Sequence, residues 1–214
     1  MSTLEETAES LRNFTAQHPL KFGTILIDPP WRFLNRTGKV APEHKRLSRY
    51  ETLSTDELAA LPVGDLAQDK SHVYLWCPNA LLPDGLRLLD AWGFTYKTNL
   101  VWYKIRKDGG PDGRGVGFYF RNVTELVLFG VRGSMRTLAP GRRQVNLMAH
   151  RKREHSKKPP NLHTIAEECS PGPRVELFSR ERRPLWEHWG NQVDNYEIMR
   201  PRYKGYEWSL ADIE

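Results

Sequence analysis

Cysteine is scarce: Cys77 and Cys169 are the only two in 214 residues. Two cysteines exclude a disulfide scaffold and any cysteine-based zinc ribbon, and both read as small buried apolar residues. No apolar run approaches the roughly 20 residues that a membrane span needs. The start, Met1-Ser2-Thr3-Leu4-Glu5-Glu6, is polar and acidic, without the basic-then-apolar pattern of a secretory signal. An intracellular, cytoplasmic protein is expected. There is no internal repeat, long linker or low-complexity block. Seven histidines are present, but none in a His-Glu-x-x-His spacing, so no metal site is expected. A glycine-rich dinucleotide fingerprint after the first strand is also missing, and no helix start follows Gly113 to Gly117.

What is present is an ordinary globular composition, 39% hydrophobic and 27% charged, which excludes disordered and fibrous classes. The length fits one α/β domain over residues 1–214, with a helical extension at 1–19 and a tail at 195–214. Lys and Arg number 32 against 26 Asp and Glu. From Arg132 to Lys158 there are nine basic residues and one acid, Glu154, a larger local excess than the +6 of the whole chain. Such a stretch suits a polyanion, nucleic acid above all; the alternative is a solvated basic loop.

Leu4, Ala8, Leu11 and Phe14/Thr15 fall at helical spacing and predict a short amphipathic helix over 3–17. Phe22 to Ile27 predicts a buried strand, stopped at Asp28-Pro29-Pro30-Trp31 because two prolines forbid further ladder pairing. Residues 32–50 read as a polar, basic loop. Ser54-Thr55-Asp56-Glu57 is a capping box opening a helix to about Leu61, before Pro62. Further strands are predicted at Val73–Cys77, Phe94–Tyr103, Thr124–Phe129, Gln144–Met148 and Arg174–Ser179. Helices are predicted at Ala80–Trp92 and Asn161–Cys169, and a flexible loop at 108–117. The Trp-rich end (Trp186, Trp189, Trp208) reads as core packing. Alternating strands and helices predict a mainly parallel sheet with helices on both faces. Ligands of such sheets lie beyond the carboxyl ends of strands, which singles out Asp28 and Glu176.

Asp28 follows a buried strand directly. The prolines stiffen the chain, so the Pro29 carbonyl has a set direction. A carboxylate and a rigid carbonyl together can accept both hydrogens of a planar NH2 group. Trp31 offers a flat face on which a base stacks. These parts suit a flipped or single-stranded nucleobase with an exocyclic amine. A strand–turn with a packed Trp is the alternative.

With these residues the chain resembles the MT-A-seventy family: the catalytic subunit of the messenger-RNA adenine-N6 methyltransferase and its bacterial and phage relatives. Beyond Asp28–Trp31, the resemblance runs in order through Tyr50–Leu58 with Leu61-Pro62-Val63, His72–Trp76 with Asn79, and Ala91–Phe94. It continues through Leu100–Lys104, Arg121 with Glu125–Leu128, His155–Pro159, Glu176–Arg180 and Gly190-Asn191-Gln192, covering about residues 20–194. It implies a Rossmann-like sheet binding S-adenosylmethionine, in circularly permuted order: the Asp-Pro-Pro-Trp step first and much of the cofactor site last.

Carried over by resemblance, Asp28 and the Pro29 carbonyl hold the target amine, Pro30 stiffens the turn, and Trp31 borders the base pocket. Lys158 meets the cofactor's carboxylate, Glu176 and Arg180 lie near its ribose, and Asn191 and Gln192 bind the ribose and adenosine edge. Asp28 also borders the cofactor. The loop at 113–117 is similar to a partner-facing or substrate-gating loop. One departure stands out: where eukaryotic catalytic members carry Pro-His-Asn after the Arg180 position, this chain has Glu181-Arg182-Arg183. The eukaryotic zinc-finger extension is absent too, so substrate recognition is expected on loops 32–50 and 132–158. Phosphate contacts are expected from Arg32, Lys45, Arg46, Arg142, Arg143, Arg151, Lys152, Arg153 and Lys157. The implied activity is methyl transfer to adenine N6 in nucleic acid, DNA ahead of RNA with RNA left open, and a homodimer is an allowed assembly. Cytosine-N4 methylation and a non-catalytic nucleic-acid-binding subunit are the alternatives.

Overall fold

The computed structural model describes residues 4–32, 52–113, 119–151 and 158–190. Helix α1 (Leu4–Gln17) precedes strand β1 (Phe22–Ile27), all six of whose residues are buried. The expected capping box is formed at α2 (Thr55–Ala59): Ser54 N donates to Glu57 Oε2 at 2.7 Å and Glu57 N donates to Ser54 Oγ at 3.3 Å. Then follow β2 (Ala67–Cys77), α3 (Leu82–Ala91), β3 (Thr95–Ile105), β4 (Thr124–Arg132), β5 (Leu147–Arg151), α4 (Asn161–Cys169), β6 (Arg174–Leu177) and β7 (Glu187–Trp189).

Several boundaries differ from the sequence expectation. Strand β2 begins at Ala67 rather than Val73, because its polar first half still pairs: Phe22 lies opposite Ala67, and Ser71 opposite Arg132. Helix α3 starts at Leu82 rather than Ala80, after a 3-10 turn over Asn79–Leu81. Strand β6 stops at Leu177 rather than Ser179, because Phe178 takes φ 59°, outside the extended region. Strand β7 was not expected; three residues carry no readable period.

The strands form one sheet in the order β5-β3-β4-β2-β1-β6-β7. Strand β4 runs antiparallel to β2 and β3, and every other pairing is parallel. The mainly parallel sheet is as expected. Alternation along the strands makes two cores. Ile25, Ile27, Val73 and Leu75 face Leu11 of α1, Leu58 of α2 and Leu88 and Leu89 of α3. Leu26, Tyr74, Trp76, Val127 and Phe129 face Leu162, Ile165 and Ala166 of α4 on the other side. Helices therefore cover both faces. Trp186 and Trp189 are core residues, as expected; Trp208 lies outside the described residues.

Two consequences place the site. The first strand, β1, lies inside the sheet, and late-coming β6 pairs directly with it, the permuted order implied by the resemblance. From β1 the chain goes to β2 on one side, whereas from β6 it goes to β7 on the other. A crevice opens outside the carboxyl ends of two such diverging strands, which is where open α/β sheets take their ligands. Because β4 runs backwards, its first residues, Thr124 and Glu125, lie at that same edge. Among the described residues no helix is long and apolar enough to cross a membrane, and no group of three or more His, Cys, Asp or Glu could hold a metal ion.

Candidate active site

Asp28 is the first residue past β1, at the switch point. The turn after it is built from backbone bonds: Trp31 N donates to Pro29 O at 2.8 Å, Leu53 N donates to Pro30 O at 2.9 Å, and Arg32 N donates to Leu53 O at 3.1 Å. The Pro29 carbonyl thus has one acceptor position taken and one left. Trp31 is placed differently from the expectation. Its ring is 7% exposed within the core under the sheet, and its Nε1 donates to Trp76 O at 3.0 Å. The indole face read as a stacking surface is packed against apolar side chains, because the bridge from Trp31 to Leu53 turns the chain inward.

At the mouth of the crevice four charges alternate. Lys158 Nζ lies 3.3 Å from Asp28 Oδ1 and also bonds Glu125 Oε1; Glu125 Oε2 in turn takes Lys104 Nζ at 2.9 Å. The four side chains are 13–21% exposed. Two tryptophans form the wall beneath: Lys158 Nζ stands 5.0 Å from the Trp76 ring centre and Lys104 Nζ 4.7 Å from that of Trp102, with the two rings edge to face at 6.0 Å. Cations over aromatic faces gain from the ring quadrupole.

Burial pushes the Asp28 carboxyl above its usual range, and Lys158 and Arg180 pull it partly back. For Glu125 burial acts the same way, but Lys158 and Lys104 outweigh it and hold the carboxyl down at about 2. For Lys158 burial works against the charge, yet Asp28 and Glu125 keep the ammonium above the ordinary lysine value. The row thus contains one firmly ionised acid and one acid whose proton affinity is raised.

Across the crevice, contacts converge on Glu176 Oε2. His163 Nε2 lies at 3.1 Å, the Ser179 hydroxyl donates at 3.2 Å, and His188 Nδ1 lies at 3.7 Å. Arg183 N donates to His188 Nε2 at 2.8 Å, so the His188 proton is on Nδ1 and is donated to Ser179 Oγ at 2.9 Å. This bracing occupies the turn of Glu181-Arg182-Arg183, where the resemblance to eukaryotic catalytic members implies a different step. Gly190 closes the corner: a Cβ there would lie 3.0 Å from the Phe178 and Ser179 backbone. Asn191 and Gln192 lie outside the described residues, as do Lys45, Arg46, Lys152, Arg153 and Lys157.

The remaining basic residues divide between the two ends of the sheet. Arg32 follows the Asp28 turn, where its Nη2 bonds Thr52 O at 2.6 Å and Glu57 Oε2 at 3.2 Å. Arg151 ends β5 opposite Ile105, at the site edge. Arg142 and Arg143 sit in a 3-10 turn packed on the far end of α4, where Leu138 N bonds Cys169 O at 2.9 Å. That is the opposite edge from Asp28, a helix length of about 13 Å away. The basic stretch straddles the sheet because β5 runs up through it. Arg132 is half-buried and committed to the fold, donating to Gly64 O at 2.6 Å and Trp92 O at 2.7 Å.

Residues 22–192, a span containing the whole charge row and Glu176, match the MT-A70 family. The chain belongs to that family. Among MT-A70 relatives, the "N(6)-adenosine-methyltransferase MT-A70-like protein" of Drosophila melanogaster is 31% identical over 185 residues, 85% of this chain and 28% of that protein. The human "N(6)-adenosine-methyltransferase catalytic subunit METTL3" is 29% identical over 185 residues, 85% of this chain and 30% of that protein. "Type II methyltransferase M.MunI" of Mycoplasma sp is 26% identical over 197 residues, 85% of this chain and 82% of that protein. This MT-A70 chain thus spans less than a third of the length of the two adenosine methyltransferases.

Sequence reasoning did not assign roles to Lys104, Glu125, His163 or His188. Glu125 and Lys104 carried a signal: an acid opening an otherwise apolar strand, and a lysine closing one. His163 and His188 carried none, since only the pairing of β6 with β7 and the packing of α4 bring them to Glu176.

Proposed function

We propose that the chain transfers a methyl group to the exocyclic N6 amine of adenine in nucleic acid, with DNA as the substrate. The observation that carries this reading is Asp28: a carboxylate at the switch point, beside a carbonyl with a remaining acceptor position, and with its proton affinity raised by burial. The match to a type II methyltransferase of comparable length favours DNA over RNA.

The residues present fit S-adenosylmethionine, the methyl donor general to MT-A70 methyltransferases. Lys158 and the uncapped N-terminus of α4 supply donors for a carboxylate. The Asn161 Oδ1 at that terminus is buried without a partner and is available to an N–H donor. Asp28 borders the same pocket; by the resemblance, Glu176 on β6 and Arg180 would hold the ribose, and Asn191 and Gln192, which lie outside the described residues, would bind the adenosine edge. When bound, the sulfonium supplies an electron-poor methyl carbon on a good leaving group.

The adenine amine is a weak nucleophile because its lone pair is shared with the ring. Hydrogen bonds from its two N–H groups to Asp28 and to Pro29 O favour a pyramidal nitrogen and stabilise positive charge growing there. The nitrogen lone pair would form the new N–C bond to the methyl carbon that the bound sulfonium would supply, with the C–S electron pair leaving on the neutral thioether. The surplus N–H proton then passes to Asp28, whose raised affinity suits it to accept. Alignment of two bound reactants contributes much of the remaining acceleration.

The test is incubation of the purified chain with S-adenosylmethionine and matched DNA and RNA oligonucleotides, followed by mass spectrometry of the nucleosides. N6-methyldeoxyadenosine is expected, with Asp28→Asn slowed about 10²–10⁴-fold. Methylcytosine, or wild-type turnover by Asp28→Asn, overturns the reading.

A further inference from the structure

We propose that Tyr119 and Phe120 form a stacking platform for the bases that flank the target base in a single-stranded nucleic acid. The inference rests on the nucleic-acid reading above and names a contact surface for it. Tyr119 is 90% and Phe120 86% exposed, the two most exposed large hydrophobic residues among those described. Neighbouring exposed apolar rings mark an interaction surface.

Their place in the fold indicates what covers them. They belong to the excursion that leaves the carboxyl end of β3 and returns into the first residues of β4, the edge that carries Asp28. Asp112 N donates to Lys104 O at 2.8 Å within the outgoing limb, and Lys104 N donates to Val123 O at 2.8 Å, joining the two limbs at the base. The Lys104–Glu125 ion pair joins them again within the charge row. Arg121 Nη1 then donates to Gly113 O at 3.0 Å, tying the aromatic segment to the opposite limb. The rings thus stand beside residues that are tied to the strand ends carrying the site.

The surrounding charge selects the occupant. Lys107 and Arg121 lie on the excursion, beside an Arg106 that is paired with Asp108, and β5 brings Arg151 alongside Ile105 at its root. Of the acids there, Asp108 is paired with Arg106 at 2.9 Å and Asp112 is buried. Exposed aromatics with cations around them match the bases and phosphates of an unpaired strand; an apolar protein partner would leave those cations desolvated. Every base has a π-face, so the platform accepts any flanking sequence. It also replaces the stacking that a flipped base and its neighbours lose.

The experiment compares wild type with Tyr119→Ala/Phe120→Ala and Tyr119→Trp/Phe120→Trp, by fluorescence anisotropy on a single-stranded DNA oligonucleotide carrying one adenine. A second oligonucleotide has abasic sites on both sides of that adenine. The alanine pair is expected to weaken binding of the intact strand by roughly 10-fold or more, and the tryptophan pair to retain it. Abasic flanks should weaken wild type similarly and the alanine pair no further. Cofactor affinity by calorimetry should be unchanged in both variants. Wild-type affinity in the alanine pair overturns the proposal; if its sedimentation mass also falls, the face is a protein interface instead. Wild type that methylates adenine while the alanine pair binds normally refutes the platform and leaves the activity standing. Wild type that binds no oligonucleotide refutes both.

Discussion

Lys158 Nζ sits 3.3 Å from Asp28 Oδ1 while it also bonds Glu125. The lysine assigned by resemblance to the cofactor's carboxylate is therefore also an ion-pair partner of the acid proposed to hold the substrate amine. Lys158 lowers the proton affinity of Asp28, against burial, which raises it. Lys158→Met should raise Asp28 further, so the acid limb of the rate–pH profile moves to higher pH and cofactor affinity falls. Lys104→Met should move the limb in the same direction but less, because Lys104 acts through Glu125, and Lys104→Arg should restore it. An unmoved limb in Lys158→Met refutes the coupling.

Glu125 is held down at about 2, from an ordinary value of 4.5. A depressed acid stabilises the fold above its unfolded value, and that contribution is lost as pH falls through the folded value. The contribution is about 3 kcal/mol. In urea unfolding, the stability gap between wild type and Glu125→Gln should be constant above about pH 5 and narrow as pH falls from about 4.5 to about 2. A gap constant with pH would mean that the lysines do not hold this carboxylate.

Gly85 lies within α3, where Gly→Ala ordinarily stabilises an exposed helix. Here a Cβ would approach Cys77 Sγ and Leu128 Cδ1 to 2.7 Å. Gly85→Ala should therefore destabilise by about 1–3 kcal/mol through overpacking, read as a lowered melting temperature.

Trp31→Phe removes the 3.0 Å bond from Nε1 to Trp76 O and some core volume. Stability should fall by about 1–3 kcal/mol, with oligonucleotide affinity unchanged in anisotropy titrations. A loss of affinity without a loss of stability would return Trp31 to the role of a stacking surface.

Oligonucleotide binding should weaken with salt, with a slope of about −2 to −4 in log affinity against log salt, corresponding to roughly three to five phosphate contacts. Of the nine basic residues from Arg132 to Lys158, Arg132 and Lys158 are occupied internally. Arg151→Ala should flatten the slope, whereas Arg142→Ala with Arg143→Ala should change it little, because those two lie at the far edge. The reverse outcome would place the nucleic acid on the opposite side of the sheet.

Much of this protein is legible residue by residue. β-Branched residues in Phe22–Ile27, two prolines behind them and a capping box at Ser54 are local devices, and each forms where its spelling says. The helix Asn161–Cys169 and the burial of both cysteines follow likewise from short-range pattern. Asp28 could be singled out because an acid immediately after a buried strand has one place to go. Pairing decided the rest. That β4 runs against its neighbours brings Glu125 to the site edge, and no local signal distinguishes that direction from the parallel one. The three-residue β7 exists only against β6, and with it His188 reaches Glu176. The face of Trp31 was settled by a single bridge to Leu53, and the division of the basic stretch between two edges by the course of β5. Periodicity along a chain reports which side of an element is apolar; which residues meet across the sheet depends on strand order and direction, set by contacts between segments far apart in the chain.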